Sequence, residues 1–371
     1  MLTTQDDLLG HQTPQPFAVP GNGHENFTER YWYTAHPLDG SAVLLDCGLG
    51  YYPNRGVMDA FAGVTIGRKQ FNFRASRRLG STPLQTHVGP LQLEIDIRSG
   101  RHRLVLAPNS SGISMDVTFE PVFPAGQEKQ SYRERKGVVE EDLARVTQFG
   151  RWRGWIAADG KRWELTPQTW WGQRDRSWGL RSPMKTDHDA PPVQTHAGFF
   201  WTWSMLQFER SAICLFVKER EPGNPWYLSC TEFRRDASGA VTLREGTRVT
   251  HDIRWAADPL GQTIDSAELT IEFEQGPARV VRMEGLPIRF YLKGGLYGGF
   301  GGWNHGDDRG EYHEAHDVWD LDDAATRQKA RTLSDHVLRL SSEGETGIGI
   351  SEYGVATGYS RYAEVHGFPA L

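Results

Sequence analysis

The sequence predicts an all-β protein in which antiparallel strands form two lobes arranged in tandem. Short segments alternate apolar and polar residues, as half-buried antiparallel strands do, and Gly, Pro, Asn and Asp separate them. Clear examples are the segments 70–74, 91–97, 115–119 and 269–273. Helical periodicity is nearly absent, and only Asp320 to Arg331, with a capping Asp and an Ala/Arg/Lys body, predicts a helix.

The boundary between the two lobes is predicted near residue 188. Residues 181–193 crowd Ser, Asp and Pro together, and such a segment cannot continue a strand ladder. A chain of 371 residues is long enough for two domains with substantial cores. We therefore predict an N-terminal lobe at 1–188 and a C-terminal lobe at 189–371. The second lobe opens with a strand whose odd positions are bulky and mostly aromatic: Phe199, Trp201, Trp203 and Met205.

Composition excludes several classes of partner. The chain has 41 basic and 47 acidic residues and a net charge of −6, so we expect no nucleic-acid partner and no broad contact with anionic membranes. No segment reaches the roughly 18 apolar residues of a membrane span, and the polar N-terminus lacks a signal-peptide pattern. The three cysteines are widely spaced and predict neither a disulfide framework nor a zinc site. We expect a cytoplasmic protein, and the oligomeric state stays open.

The segment 170–181 is the strongest functional signal. It holds three Trp, three Arg and one Asp in twelve residues, a composition suited to binding an apolar molecule with one polar group. On an extended strand Asp175 and Arg181 share one face, while Arg174, Arg176 and Trp178 lie on the other. Asp175 is a candidate general base or charge stabiliser, and the alternative is a structural ion pair. The neighbouring arginines are expected to lower its pKa.

This segment resembles the signature of the AttH-like and hydroxyneurosporene-synthase-like proteins, calycin relatives in which two lipocalin-like barrels are joined. The matching residues are Gly172, Arg174, Asp175, Ser177, Trp178, Gly179 and Arg181. Members often carry His between the Asp and the Ser, where this chain has Arg176, so a mechanism that needs that His does not transfer directly. The resemblance implies two tandem lipocalin-like lobes, and relatives that include carotenoid hydration and pericyclic cyclisation catalysts.

Aromatic residues flank the predicted lobe boundary and are candidates for lining a binding site. Their indole faces can contact an apolar molecule and stabilise a carbocation, whereas the alternative is ordinary core packing. The substrate-binding candidates, with the polar residues that accompany them, are Trp171, Trp178, Arg181, Trp201, Trp203, Trp303 and Tyr353.

Two histidines in the second half are candidate proton shuttles. His305 follows a Gly-rich segment, 294–306, that fits tight bends and matches no nucleotide-binding fingerprint. His313 shares a strand face with Asp317 and can form an acid/base pair. His313 and His316 are three apart, which on a strand places them on opposite faces, so we predict no metal site. No redox or nucleotide fingerprint is present, and we predict no cofactor.

These observations predict a cofactor-independent lyase, hydratase, isomerase or cyclase. Its substrate would be an apolar small molecule, such as a terpenoid, steroid-like, polyketide or aromatic compound, held between the lobes. Asp175, Arg174, His305 and His313 are the candidate catalytic residues. The alternative is a non-catalytic carrier of hydrophobic metabolites, which would bury few ionisable groups because each is costly unless paired.

Overall fold

The computed structural model describes residues 2–11, 13–181, 198–257, 262–331, 333–362 and 365, and it is an all-β protein, as predicted. The first half contains β1 (Phe27–Pro37), β2 (Val43–Tyr52), β3 (Val57–Ile66), β4 (Lys69–Arg78), β5 (His87–Val88), β6 (Leu91–Asp96), β7 (Arg101–Leu106), β8 (Ser114–Pro121), β9 (Gly126–Gln127), β10 (Ser131–Arg135), β11 (Val138–Ala158), β12 (Lys161–Leu165) and β13 (Trp170–Leu180).

The second half contains β14 (Phe200–Phe208), β15 (Ser211–Glu221), β16 (Asn224–Arg235), β17 (Val241–Trp255), β18 (Ile264–Phe273), β19 (Arg279–Tyr291), β20 (Tyr312–Asp320), α1 (Ala324–Ala330), β21 (Ser334–Ser342) and β22 (Glu345–Val355). Short 3-10 helices span Thr4–Asp7, Pro53–Arg55 and Leu292–Gly295. The predicted helix is confirmed as α1, and the side chain of Asp323 caps it by accepting from the Thr326 N–H. Among the described residues, no helix is long and apolar enough to cross a membrane.

The strands form a curled N-terminal sheet and a closed C-terminal barrel. The sheet has the order β20-β4-β3-β2-β1-β13-β11-β8-β7-β6-β5, and β9, β10 and β12 pair with β11. The barrel has the order β14-β15-β16-β17-β18-β19-β21-β22. Neighbouring strands are antiparallel, as hairpin-connected β-proteins require. Two tandem lipocalin-like lobes, the predicted architecture, account for this arrangement.

One strand of the second half belongs to the sheet of the first. β20 pairs with the edge strand β4, with Asp317 opposite Asn72. Asp317 also forms an ion pair of 2.7 Å with the buried guanidinium of Arg74. The proposed boundary at residue 188 lies outside the described residues. The crossing strand β20 comes from the second half of the chain and is part of the N-terminal sheet, not of the barrel.

Each lobe has its own hydrophobic core, and a third apolar cluster lies between them. Trp32, Phe61 and Trp171 enter this cluster from the sheet, and Trp203 and Phe290 enter it from the barrel. Gly63 on β3 allows the closest approach: a Cβ atom there would lie 2.1 Å from Cε2 of Phe290. The lobes are therefore packed face to face.

Replacing Gly63 with Ala is expected to destabilise the protein by about 1–3 kcal/mol, because the added methyl group overpacks a closed interface. Phe290 is fully buried and its ring stacks on Phe61 at a centroid distance of 6.3 Å. Chemical denaturation of the variant measures the change. Gly23→Ala is the control, since a Cβ at Gly23 meets nothing within 4 Å. Equal stability of the two variants would show that the interface is loose.

Candidate functional site

The alternation of side chains on β13 separates the motif residues onto two faces of the sheet. In the β1–β13 ladder Trp32 is opposite Asp175, and His36 is opposite Trp171. Residues opposite each other in a ladder share a face, so Asp175 and Trp171 lie on the face that Trp32 presents to the barrel. Arg174 and Trp178 lie on the other face. The sheet therefore places Asp175 at the interface between the lobes.

Asp175 is paired with Arg145, a residue that sequence reasoning missed. Nε of Arg145 lies 3.5 Å from Oδ2 of Asp175, and Nη1 of Arg145 lies 3.4 Å from Oε2 of Glu128. The guanidinium is 5.5 Å from the ring centroid of Trp203. Nε1 of Trp203 donates a hydrogen bond of 2.7 Å to Glu128. Arg145 is therefore paired with two carboxylates and lies beside the indole of Trp203, where β9, β11, β13 and β14 meet.

The pKa of Asp175 differs in direction from the sequence-based expectation. Burial raises the pKa, and the guanidiniums of Arg145, Arg181 and Arg30 oppose this effect without reversing it. The expected lowering is therefore wrong, because desolvation outweighs the charged neighbours. Among the described residues, no group donates a hydrogen bond in good geometry to Asp175, and its side chain is 15% exposed.

His305 lies next to this pair in a second buried polar group. Nη2 of Arg30 is 2.9 Å from Nε2 of His305, and Nδ1 of His305 is 3.2 Å from Oδ2 of Asp59. Because Arg30 can only donate, Nε2 accepts and Nδ1 carries the proton. Burial lowers the pKa of His305 to about 4, and Arg30 adds to the lowering. His305 is therefore a neutral imidazole at physiological pH.

Arginine and aromatic side chains connect the two groups. The guanidinium of Arg30 lies 4.5 Å from the ring centroid of Tyr297, and that of Arg181 lies 6.0 Å from the same ring. The charges of Arg30 and Arg181 both act on Asp175. Arg181 is thus placed at the site that its position in the motif predicted, and Arg30 was not foreseen because nothing in its local sequence distinguishes it.

Three carboxyl groups, Asp46, Asp335 and Glu352, lie further along the same interface. None of the three is among the candidate residues predicted from the sequence. Asp46 interrupts a strand that is buried on both faces, and an acidic residue inside an apolar run is the signal that could have identified it.

Two motif residues lie on the opposite side of the sheet from Asp175. Nε of Arg174 donates a hydrogen bond of 2.8 Å to Gln148, inside the N-terminal lobe. Trp178 is 38% exposed. Arg176, which replaces the His of the similar family, shares this face: it pairs with Glu29 and covers the ring of Tyr31. The replacement therefore does not place a charge against Asp175.

Some of the other predicted site residues lie at the interface between the lobes, and some lie elsewhere. Trp201 and Trp203 share a face of β14, and Trp201 packs against the cluster between the lobes. His313 packs against Trp303 at a centroid distance of 4.9 Å, near the β20 edge of the sheet. Tyr353 points into the barrel, where its hydroxyl lies 2.9 Å from Nδ1 of His336. The structure thus brings Asp175, Arg181 and His305 together, with Trp203 beside Arg145, whereas Trp171 and Trp201 are related to them only as parts of the apolar cluster between the lobes.

The fold is a curled sheet joined to a closed barrel, with charged side chains between them. The structure is similar to that of a putative AttH from Nitrosomonas europaea, with a TM-score of 0.54, 14% sequence identity and coverage of 92% of this chain and 99% of that chain. The resemblance stated from the sequence is therefore confirmed at the level of the fold.

The chain belongs to a family of unknown function, DUF8625, whose model matches residues 2–363. A second solved structure, kievitone hydratase from Nectria haematococca, aligns with a TM-score of 0.42 and 9% identity, over 89% of each chain. None of the curated proteins compared with the chain matches it.

Proposed function

We propose that the protein is a cofactor-independent enzyme of the lyase, hydratase, isomerase or cyclase type, and that its substrate is an apolar small molecule bound between the lobes. The observation that carries this proposal is the Asp175–Arg145 pair set against Trp203 at the interface. The side chain of Asp175 is 15% exposed and receives no hydrogen bond in good geometry from the described residues. Such a group can stabilise a positive charge or remove a proton in a transition state.

The number of buried ionisable groups favours an enzyme over a carrier. A carrier of apolar molecules needs few such groups, because each one destabilises the fold unless it is paired. Here the interface contains Asp59, Asp175 and Glu128 together with Arg30 and Arg145. Groups with shifted pKa values gathered between two domains are typical of active sites. This enrichment supports catalysis at the interface.

Each side chain has a role that its surroundings allow. Asp175 faces the substrate as a base or as the partner of a cation. The indoles of Trp32 and Trp203, whose centroids are 5.3 Å apart, can stabilise a carbocation with their faces. Arg181 can bind an enolate, phenolate or carboxylate. His305 can accept a proton only after Arg30 releases Nε2, so Arg30 controls any shuttle role of His305.

The proposed function is tested with purified protein and a metabolite extract, incubated in water labelled with oxygen-18 and, separately, in deuterium oxide. Untargeted mass spectrometry then reports the reaction type. A hydratase yields a product that has gained one labelled water, and an isomerase or cyclase yields a product of unchanged composition, with or without deuterium. Metabolites that copurify with the protein and remain chemically unchanged would instead establish a carrier.

The two tryptophans of β14 are expected to respond differently to truncation. Trp203→Ala should destabilise the protein by about 3–5 kcal/mol, because Trp203 is buried and its loss leaves a cavity and removes a hydrogen bond to Glu128. Trp201→Ala should cost less, since Trp201 is only partly buried, while still reducing turnover. Thermal melting and product formation are measured on the same samples. If Trp201→Ala lowers turnover only in proportion to the folded fraction, Trp201 belongs to the core alone.

A further inference from the structure

Asp46 and Asp335 face each other across the contact between the lobes. Asp46 on β2 is opposite Gly63 in the β2–β3 ladder, and Asp335 on β21 is opposite Phe290 in the β19–β21 ladder. The ring of Phe290 lies directly on Gly63. The two registers therefore bring the carboxyls together, close enough to share a hydrogen bond. Both side chains are 0% exposed.

Among the described residues, no cation pairs with Asp46 or Asp335, and no group donates a hydrogen bond in good geometry to their oxygens. Nε1 of Trp32 lies beside both carboxyls and lowers the pKa of each, but burial raises both pKa values by more. It is costly for two carboxylates in contact and away from water to be ionised together. A proton held between the two acids provides a donor in this place.

Glu352 connects this pair to the candidate site. Its carboxyl lies beside that of Asp335, and its charge interacts with those of Asp175, Arg145 and Arg181. In the β14–β22 ladder Glu352 is opposite Trp203. Glu352 is also partly exposed, unlike the two acids behind it. The three carboxyls are thus ordered from the closed interior to the place where a substrate would contact Trp203.

We propose that Asp46, Asp335 and Glu352 form a proton relay, in which the two buried aspartic acids store a proton and Glu352 transfers it to the substrate. This inference rests on the proposed enzymatic function. In the forward step the Glu352 O–H bond breaks and a substrate carbon gains the proton. Water or a carbon–carbon double bond within the substrate attacks the resulting cation, and Asp175 accepts the proton that is released. Asp335 reprotonates Glu352, and the proton on Asp175 returns through Glu352 to the aspartates, so each turnover ends with one proton shared by Asp46 and Asp335.

The stored proton has a consequence for stability. Burial raises the pKa of Asp46 to about 7 and raises the pKa values of Asp335 and Glu352 well above their usual range. In the unfolded chain these acids lose their protons near pH 4. Their contribution to stability is therefore complete below about pH 4 and is lost as the pH rises toward and beyond 7. Asp175, Arg145 and Arg181 are the other charged groups acting on the set.

The relay is tested on the full-length protein by infrared difference spectroscopy at pH 7 in light and heavy water. We expect a carbonyl band from protonated carboxylic acid that shifts with deuteration and is weakened in Asp335→Asn and in Asp46→Asn. Asp116→Asn, which alters an exposed pair with Arg103, should leave the band unchanged. If one of these two Asn variants fails to fold, the spectrum of the other is sufficient for the test. A spectrum without this band in the folded wild-type protein would overturn the proposal.

Melting and turnover complete the test. Asp46→Asn should raise the melting temperature relative to the wild type at pH 8, with a smaller advantage at pH 5, because Asn never has to become charged. Glu352→Gln should abolish product formation while the infrared band of the Asp46–Asp335 pair persists. If the wild-type protein shows the infrared band but converts no metabolite, the proposed enzymatic function is wrong. The storage of a proton by Asp46 and Asp335 is then still supported. Full turnover by Glu352→Gln would overturn the transfer step.

Discussion

Asp175→Asn is expected to lower turnover by about two to four orders of magnitude, the usual effect of losing a general acid or base. The substitution keeps the size of the side chain and one acceptor oxygen, and it removes the negative charge. Stability should change little, because Arg145 keeps its second carboxylate partner, Glu128, at 3.4 Å. We therefore expect the melting temperature to move by only a few degrees. The measurement is the rate of label incorporation with the metabolite extract, together with thermal melting.

A purely structural role for Asp175 predicts the reverse pattern. The melting temperature would then fall sharply, and the remaining activity would follow the folded fraction. Asp116→Asn serves as the matched control, since Asp116 also pairs with an arginine but lies at the surface. A stable and fully active Asp175→Asn variant would contradict both the catalytic and the structural role of Asp175. Glu352 and His305 would then be the next candidates for the catalytic residue.

Local sequence patterns were sufficient to predict much of the N-terminal part of the site. Alternation along residues 173–181 separated Asp175 from Arg174 and Trp178, and the ladder between β1 and β13 has that arrangement. The aromatic face of β14 was equally visible, because side-chain direction in a strand depends only on a period of two. These features arise within one strand and need no knowledge of its partners.

Features that depend on contacts between distant segments were not predictable in this way. Asp46 and Asp335 are far apart in the sequence, and the packing of β2 and β3 against β19 makes them neighbours. The pairing of β20 with β4 likewise has no local signal. The predicted direction of the pKa shift of Asp175 was wrong for a related reason. The sequence shows the charged neighbours of Asp175, whereas its desolvation depends on burial in the folded protein.

Arg145→Met is expected to have the largest effect on stability, a loss of about 3–5 kcal/mol at neutral pH. Methionine retains much of the apolar stem but removes the cation that pairs with both Asp175 and Glu128. Chemical denaturation at several pH values measures the change. Burial already raises the pKa values of both carboxyls. Removing the cation raises them further, so the destabilisation should diminish as the pH falls and both groups bind protons.

The control for Arg145→Met is Arg103→Met, which breaks an exposed pair with Asp116 and should cost about 1 kcal/mol or less. Combining Arg145→Met with Asp175→Asn tests the pair directly. Because the double variant has one uncompensated carboxylate fewer, it should be more stable than Arg145→Met alone. Additive losses would instead mean that Arg145 and Asp175 do not interact, and the charge of Arg145 would then act through Glu128 and Trp203 alone.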